Sequence, residues 1–315
     1  MRAARVRGTE IEVADVADAT GDGVMVHVKA TGICGSDLHL LASGGFDGRI
    51  LGHEIAGVTD DGTPVTVEPV HACGDCEHCD TGDDPRCLQA SARLIGIGVD
   101  GGLAERVVVP EHLLVPLAPG VPVADACLVE PLAVGVRSVA RAGVTAGSRV
   151  CVIGGGSIGL AAAAVASAFG ASVDIVARHD HQLAAADRLG VGPAADQPYD
   201  VVIEAAGSES ALADAINRCA PGGTIAVPGT YWEAVRMPPM MLGLKEISIV
   251  PSSMYGRTTA EGRDVAVAAR VLAERPEIAT ALISHRFPLD GTPDAFAAAS
   301  DRAAGAIKVV IEPQE

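Results

Sequence analysis

The chain has 315 residues, enough for two domains and a substantial core, and is 49% hydrophobic with only 3% aromatic residues. Its formal net charge of −17 argues against nucleic acid or an anionic membrane as partner, because the phosphate attraction that drives such binding would be reversed. No charged-then-apolar leader and no bilayer-length apolar run is present, so a cytoplasmic, reducing location is expected.

Residues 1–130 are rich in short alternating stretches, such as VMVHVKA (24–30) and AERVVVP (104–110), which read as strands of a β-rich unit. Two short motifs interrupt them: Gly32-Ile33-Cys34-Gly35-Ser36-Asp37-Leu38-His39 and Gly52-His53-Glu54. Either alone is weak, since a buried cysteine or a hydrogen-bonded histidine is common. Next comes the most restrictive segment, Cys73, Cys76, Cys79 and Cys87 spaced C-x2-C-x2-C-x7-C. Thiolates at this spacing can close a tetrahedral shell around one Zn²⁺. Gly74, Gly82 and Pro85 make the segment a folded loop rather than a helix or strand. A disulfide pair is the rival reading, and the expected reducing location favours metal. His71 and His78 are read as exposed loop residues, because four thiolates already fill a closed site.

From about Pro131 the pattern changes. A helical stretch, LAVGVRSVARAG, leads to the strand RVCVIG (149–154), a glycine turn and an alanine-rich helix ending near Phe169. Then follow strand 172–177, helix 181–190, strand 199–205, helix 209–220, strand 222–228 and a helix over about 259–275. Strands alternating with helices predict an α/β, doubly wound parallel sheet. The last segment returns to strand-like alternation and is expected to rejoin the first domain. Lysine occurs only at Lys29, Lys245 and Lys308.

Gly154-Gly155-Gly156-Ser157-Ile158-Gly159 fits G-x-G-x-x-G between a strand and a helix, the context of a dinucleotide site. Such glycines let the backbone approach a pyrophosphate, and the helix N-terminus offers free N–H groups. An NAD-binding chain ordinarily has a carboxylate at the end of the next strand to bind the ribose hydroxyls. Here that place falls on Ala177, followed by Arg178 and His179, so NADP is expected over NAD. Asp180 takes the ribose role instead if the strand runs longer.

In this order the motifs resemble the zinc-dependent medium-chain dehydrogenase/reductase (alcohol dehydrogenase) family. Glu130-Pro131-Leu132 is most similar to its sorbitol (polyol) and threonine dehydrogenase branch. The resemblance implies a GroES-like catalytic domain over 1–133 and 283–315, with a structural zinc lobe at about 71–90, and a Rossmann domain over 134–282. It makes Cys34 and His53 ligands of a catalytic zinc, Glu54 a third or alternating ligand, and Glu130 a ligand of the metal or its water. Asp37 would orient His53, and Ser36 and His39 would relay the hydroxyl proton. Cys127 is read as an inert buried thiol, and Cys151 and Cys219 as packing residues. The implied activity is NAD(P)-linked oxidation of a secondary alcohol, polyol or sugar, with two zinc ions per chain in a homodimer or homotetramer that pairs through KEISIVPSS (245–253). The alternatives are a zinc-free quinone-type reductase, or a non-enzymatic nucleotide-binding protein of the same fold. One departure stands out: only VGPAADQPY (191–199) occupies a place where the family carries a strand and a helix.

Overall fold

A computed structural model describes residues 1–313. The chain divides into two compact units, Met1–Glu130 with Leu272–Ala279 and the segment from Ile283 on, and Pro131–Val271 with Thr280–Leu282.

The first unit opens with an antiparallel pair, β1 (Arg2–Arg7) and β2 (Glu10–Asp15). β3 (Val24–Ile33) runs into helix α1 (Gly35–Ser43), followed by β4 (Glu54–Thr59) and β5 (Pro64–Val67). The cysteine-rich segment is a loop with two single-turn helices, α2 (Glu77–Asp80) and α3 (Ala90–Arg93). β6 (Arg106–Val109) and β7 (Leu114–Pro116) follow. Alternation does what it predicts: Val26 and Val28 of β3 point inward with Ile55, Val65, Val67, Val107 and Val109 to make one core.

Helix α4 (Val129–Arg141) leads to β8 (Arg149–Ile153), α5 (Ser157–Ala168), β9 (Ser172–Val176), α6 (Asp180–Arg188) and β10 (Gly192–Pro193). β11 (Tyr199–Glu204), α7 (Glu209–Arg218), β12 (Cys219–Val227), α8 (Pro239–Leu244), β13 (Ser248–Pro251) and α9 (Asp264–Glu274) complete this stretch. The six strands form one parallel sheet in the order β10-β9-β8-β11-β12-β13, the doubly wound arrangement expected. After α10 (Glu277–Leu282), the strands β14 (Ile283–Pro288) and β15 (Lys308–Glu312) flank α11 (Thr292–Ser300). They return to the first unit, whose sheet order is β14-β15-β3-β4-β5-β7, with β6 also paired to β3.

Two expectations change. The helix expected from Thr259 starts at Asp264, because the buried Asp264 carboxylate accepts from the N–H groups of Gly256 (2.8 Å) and Thr258 (2.9 Å) and so folds the preceding residues into a loop. The short crossover keeps a two-residue strand, β10, beside β9, and the chain then passes to β11 without a helix. Tyr199 holds this shortcut: its hydroxyl donates to Asp174 (2.7 Å) and accepts from the Ala195 N–H (2.9 Å). Among the described residues, no helix is long and apolar enough to cross a membrane.

Candidate metal and dinucleotide sites

The four clustered cysteines converge. Cys73 and Cys79 sulfurs lie 3.8 Å apart and those of Cys76 and Cys79 3.5 Å apart. Four sulfurs ~2.3 Å from a tetrahedral Zn²⁺ sit ~3.8 Å from each other, so the loop has the size of a zinc knot. Backbone N–H groups point at the sulfurs, from Cys73 to Cys87, Gly74 to Cys79 and Gln89 to Cys87, at 3.2–3.4 Å. Backbone N–H groups of Leu88 and Cys79 pull the Cys76 thiol down to about 6, whereas Asp75 pushes that of Cys73 up to about 12. Thiols this close ionise together only around a shared cation. His71 is not a plain loop residue: Arg93 donates to its ring at 2.6 Å, and it packs edge-on against His112. That engagement leaves it no part in the knot.

The second cluster arises from strand register. β3 and β4 pair antiparallel with Gly32 opposite Glu54, which brings Cys34, just past the end of β3, beside His53, just before β4. Ligand atoms of Cys34, His53 and Glu54 all lie within 4.8 Å of one another. Cys34 caps α1, and its N–H donates to Asp37 Oδ2 at 2.9 Å. The other Asp37 oxygen faces His53 Nδ1 at 3.4 Å, both buried, which leaves the far ring nitrogen for a metal. Burial disfavours the His53 imidazolium, but Asp37 and Cys34 outweigh it and hold the ring's pKa well above its usual value. A ring so placed among anionic groups is ready to take a cation in place of a proton.

Glycines fix His53. A Cβ on Gly96 or Gly101 would meet the Gly52 carbonyl oxygen at 2.3 or 2.2 Å, and Gly52 itself has φ +94°. The loop at 96–102 therefore packs directly on the backbone that carries His53. Glu130 is buried at the start of α4 but is not part of the close group. Ser36 is half-buried and His39 exposed, three residues apart on α1 and so neighbours on one face. Cys127 is fully buried, and burial together with nearby Glu54 pushes its thiol up to about 12, so it stays inert.

Sequence reasoning missed Lys308. Its ammonium donates to both oxygens of Glu54, at 2.5 and 2.6 Å, and to the Ile33 carbonyl at 3.1 Å. Burial disfavours this cation, but Glu54, Cys34 and Glu130 more than offset it, so the lysine's pKa is raised. The sequence signal was an isolated lysine in the apolar strand AIKVVIEP. A surface hollow of about 500 Å³, lined by residues 45–49 with Ile97, Gly98 and Asp100, includes neither Cys34 nor His53.

In the second unit, the glycine turn lies between β8 and α5. Gly154 adopts φ +115°, and a Cβ on Gly159 would strike the Gly154 carbonyl oxygen at 1.8 Å. A Cβ on Gly155 would strike Ala177 Cβ and Gln182 Cβ at 2.7 Å, so the end of β9 borders the turn. The hydroxyl of Ser157, first residue of α5, is buried without a hydrogen-bond partner. A turn that has no room for a side chain at Gly155 or Gly159 and leaves a buried hydroxyl unused fits a dinucleotide pyrophosphate. β9 ends at Val176, so Ala177 and exposed Arg178 follow it, with His179 at the N-cap of α6. The side chain of Arg178 makes no ion pair among the described residues.

Comparison with known proteins agrees with this geometry. The alcohol dehydrogenase GroES-like domain profile matches residues 20–119, and the zinc-binding dehydrogenase profile matches residues 157–270. L-galactonate-5-dehydrogenase of Escherichia coli (strain K12) is 32% identical over 296 residues, covering 84% of each chain. The chain belongs to the zinc-dependent alcohol dehydrogenase family. Sorbitol dehydrogenase of Bacillus subtilis (strain 168) is 29% identical across 99% of this chain and 97% of its own. Galactitol-1-phosphate dehydrogenase from Escherichia coli superposes with TM-score 0.88 at 26% identity, covering 99% of this chain and 100% of that one. A Sinorhizobium meliloti 1021 protein, described as a zinc-binding dehydrogenase and bound to NADP, superposes with TM-score 0.84 at 28% identity over 99% of both chains. The protein is thus an oxidoreductase that uses zinc and a nicotinamide dinucleotide.

Proposed function

We propose that this dehydrogenase oxidises a secondary hydroxyl of a polyol or sugar-derived substrate to a carbonyl, reversibly, and prefers NADP. The observation that carries the reading is the convergence of Cys34, His53 and a carboxylate within 4.8 Å, in the same unit as an all-cysteine knot. A closed four-thiolate site is structural; a site with fewer protein ligands keeps a position for substrate. Relatives named for galactonate, sorbitol and galactitol phosphate support the substrate class.

Cys34 and His53 would hold a zinc ion, which would supply Lewis acidity at the substrate hydroxyl, and the dinucleotide would supply the hydride acceptor. Asp37 fixes the His53 ring so that one nitrogen faces the metal. Ser36 takes up the hydroxyl proton and passes it to His39, which meets solvent. Gly154–Gly159 would cradle the pyrophosphate, and Arg178 and His179 would bind the adenosine ribose and its 2′-phosphate. Ala177 adds no repelling carboxylate there.

A zinc-free double-bond reductase or a non-enzymatic nucleotide binder has no use for Cys34, His53, Asp37 and Ser36 together. The thiolate ligands suit a reducing cytoplasm. Self-association as a dimer or tetramer is supported by β13, which is the open edge of its sheet, and by the nearby exposed residues Met240 and Leu244. Light scattering at micromolar concentration checks it, and a monomer would refute it. The activity is tested with a panel of polyols, sugar acids and simple secondary alcohols, read by absorbance of reduced nicotinamide, beside zinc analysis of the same preparation. Two zinc per chain and activity abolished in His53→Ala, with the dinucleotide still bound, are expected. One zinc per chain, or an active His53→Ala in metal-free buffer, would overturn the reading.

A further inference from the structure

Three loops meet at the carboxyl ends of β8, β11 and β12, and one buried carboxylate joins them. Glu204, the last residue of β11, is fully buried. Its Oε1 accepts from the N–H groups of Ala206 (2.8 Å) and Gly207 (2.9 Å), which folds the chain after β11 back onto the strand end. Its Oε2 accepts from the hydroxyl of Tyr231, in the segment after β12, at 2.6 Å. Burial and the bond to Glu204 both raise the phenol's pKa, so the hydroxyl stays a donor. The neighbouring loops are in close contact. Gly207 has φ +64°, and a Cβ there would lie 2.7 Å from the Thr230 carbonyl oxygen. A Cβ on Gly154 would lie 3.1 Å from the Ala206 nitrogen. A chain of contacts thus runs from Tyr231 through Glu204 and Ala206 to the glycine turn. The far end of the Tyr231 segment is tied separately, where the Arg236 N–H donates to Glu209 of α7 at 3.0 Å.

We propose that Tyr231 is a positioning residue for the nicotinamide half of the dinucleotide, acting through Glu204 on the Ala205–Gly207 loop. The proposal rests on the reading of Gly154–Gly159 as the pyrophosphate cradle. A dinucleotide held there would span the carboxyl ends of the strands, with its adenosine half at the end of β9. The sheet order β9-β8-β11-β12 then sends the other half over β11 and β12, where Glu204 and Tyr231 stand. A buried carboxylate oxygen deprived of its donor is costly. Without the Tyr231 hydroxyl, Glu204 turns or admits water, and the two N–H groups that shape the loop lose their fixed acceptor. A loop that is no longer preorganised must be ordered by the ligand, at the expense of affinity. The adenosine half would lie on the other side of β8 and be spared.

Tyr231→Phe removes the hydroxyl and keeps the ring, which packs on the core that includes Val227. Calorimetric titration of the folded variant should show NADP, or NAD if that is the tighter cofactor, bound about tenfold more weakly, the worth of one charge-assisted hydrogen bond. The matching adenosine fragment, 2′,5′-ADP or 5′-AMP, should bind within about twofold of wild type, because its contacts lie elsewhere. A loss shared equally by dinucleotide and fragment marks general loosening, and no loss marks an idle hydroxyl; either overturns the proposal. Coupling is read in Glu204→Gln, whose side-chain carbonyl still accepts from the two N–H groups. In that background Tyr231→Phe should weaken the dinucleotide by less than about threefold, since residues acting as one unit are not additive. An undiminished effect there would mean that Tyr231 does not act through Glu204, and overturns the proposal as well. If Tyr231→Phe does not fold, Glu204→Gln alone decides, by the same split between dinucleotide and fragment. A wild-type protein that binds neither dinucleotide nor fragment refutes the cradle reading itself, a result distinct from every outcome for Tyr231.

Discussion

Cofactor choice should turn on two adjacent residues, Ala177 and Arg178. A Cβ on Gly155 would touch Ala177, so the residue at 177 borders the phosphate turn directly. The backbone N–H of Arg178 donates to Gln182 Oε1 at 3.3 Å, which ties the segment to the first turn of α6, and its side chain is exposed. A charge-assisted hydrogen bond contributes ~1.5–3 kcal/mol. Solvent exposure of Arg178 places its contact at the lower end of that range, so NADP should be favoured over NAD by about tenfold in kcat/KM. Ala177→Asp with Arg178→Leu removes the cation and adds a carboxylate that repels a 2′-phosphate and accepts from ribose hydroxyls; it should reverse the preference. The assay is initial rates with both cofactors across a range of salt. The NADP advantage of the unaltered protein should shrink as ionic strength rises, because an exposed pair is screened. A preference for NAD in the unaltered protein would refute the reasoning and hand the ribose to Asp180, at the first turn of α6.

Three further perturbations test the scaffold. Cys76→Ser should remove zinc from the knot and lower the melting temperature or soluble yield far more than turnover per folded molecule; a variant that keeps both zinc ions and its melting temperature would contradict the assignment. Gly96→Ala would place a methyl group 2.3 Å from the Gly52 carbonyl oxygen, and overpacking of this kind costs ~1–3 kcal/mol, so thermal stability and kcat should fall together as the backbone at His53 shifts. Tyr199→Phe leaves the Asp174 carboxylate and the Ala195 N–H without their shared hydroxyl and should destabilise the protein by ~1–3 kcal/mol, read by chemical denaturation, with cofactor affinity unchanged.

What could be read from the sequence was local. The zinc knot is written in fourteen consecutive steps of chain from Cys73 to Cys87, and the phosphate turn in six residues, of which Gly159 packs on the Gly154 carbonyl of the same turn. The parallel sheet followed from strand–helix alternation, and its strand ends fell within a few residues of those expected. Features set by contacts outside the periodic pattern were not legible. The start of α9 moved because a loop folds back onto Asp264, and no periodicity records that. The two-residue β10 carries too little pattern to register, and it survives because the β9 ladder and the Tyr199 hydroxyl hold it.

The Glu54–Lys308 pair shows why such features escape a linear reading. Glu54 follows a histidine in a motif that reads as ligands, and Lys308 is an isolated lysine opening an apolar strand, so each carries a local signal but no sign of the other. Their meaning depends on three strands lying in the order β15-β3-β4 and on a glycine, rather than any larger residue, at the crossing point. A buried charge pair is weak evidence for stability, since desolvation offsets much of its attraction. Its position is the better guide. The pair stands against Cys34 and His53, so only the folded sheet, and no single motif, shows that this cluster carries a buried cation beside its carboxylate.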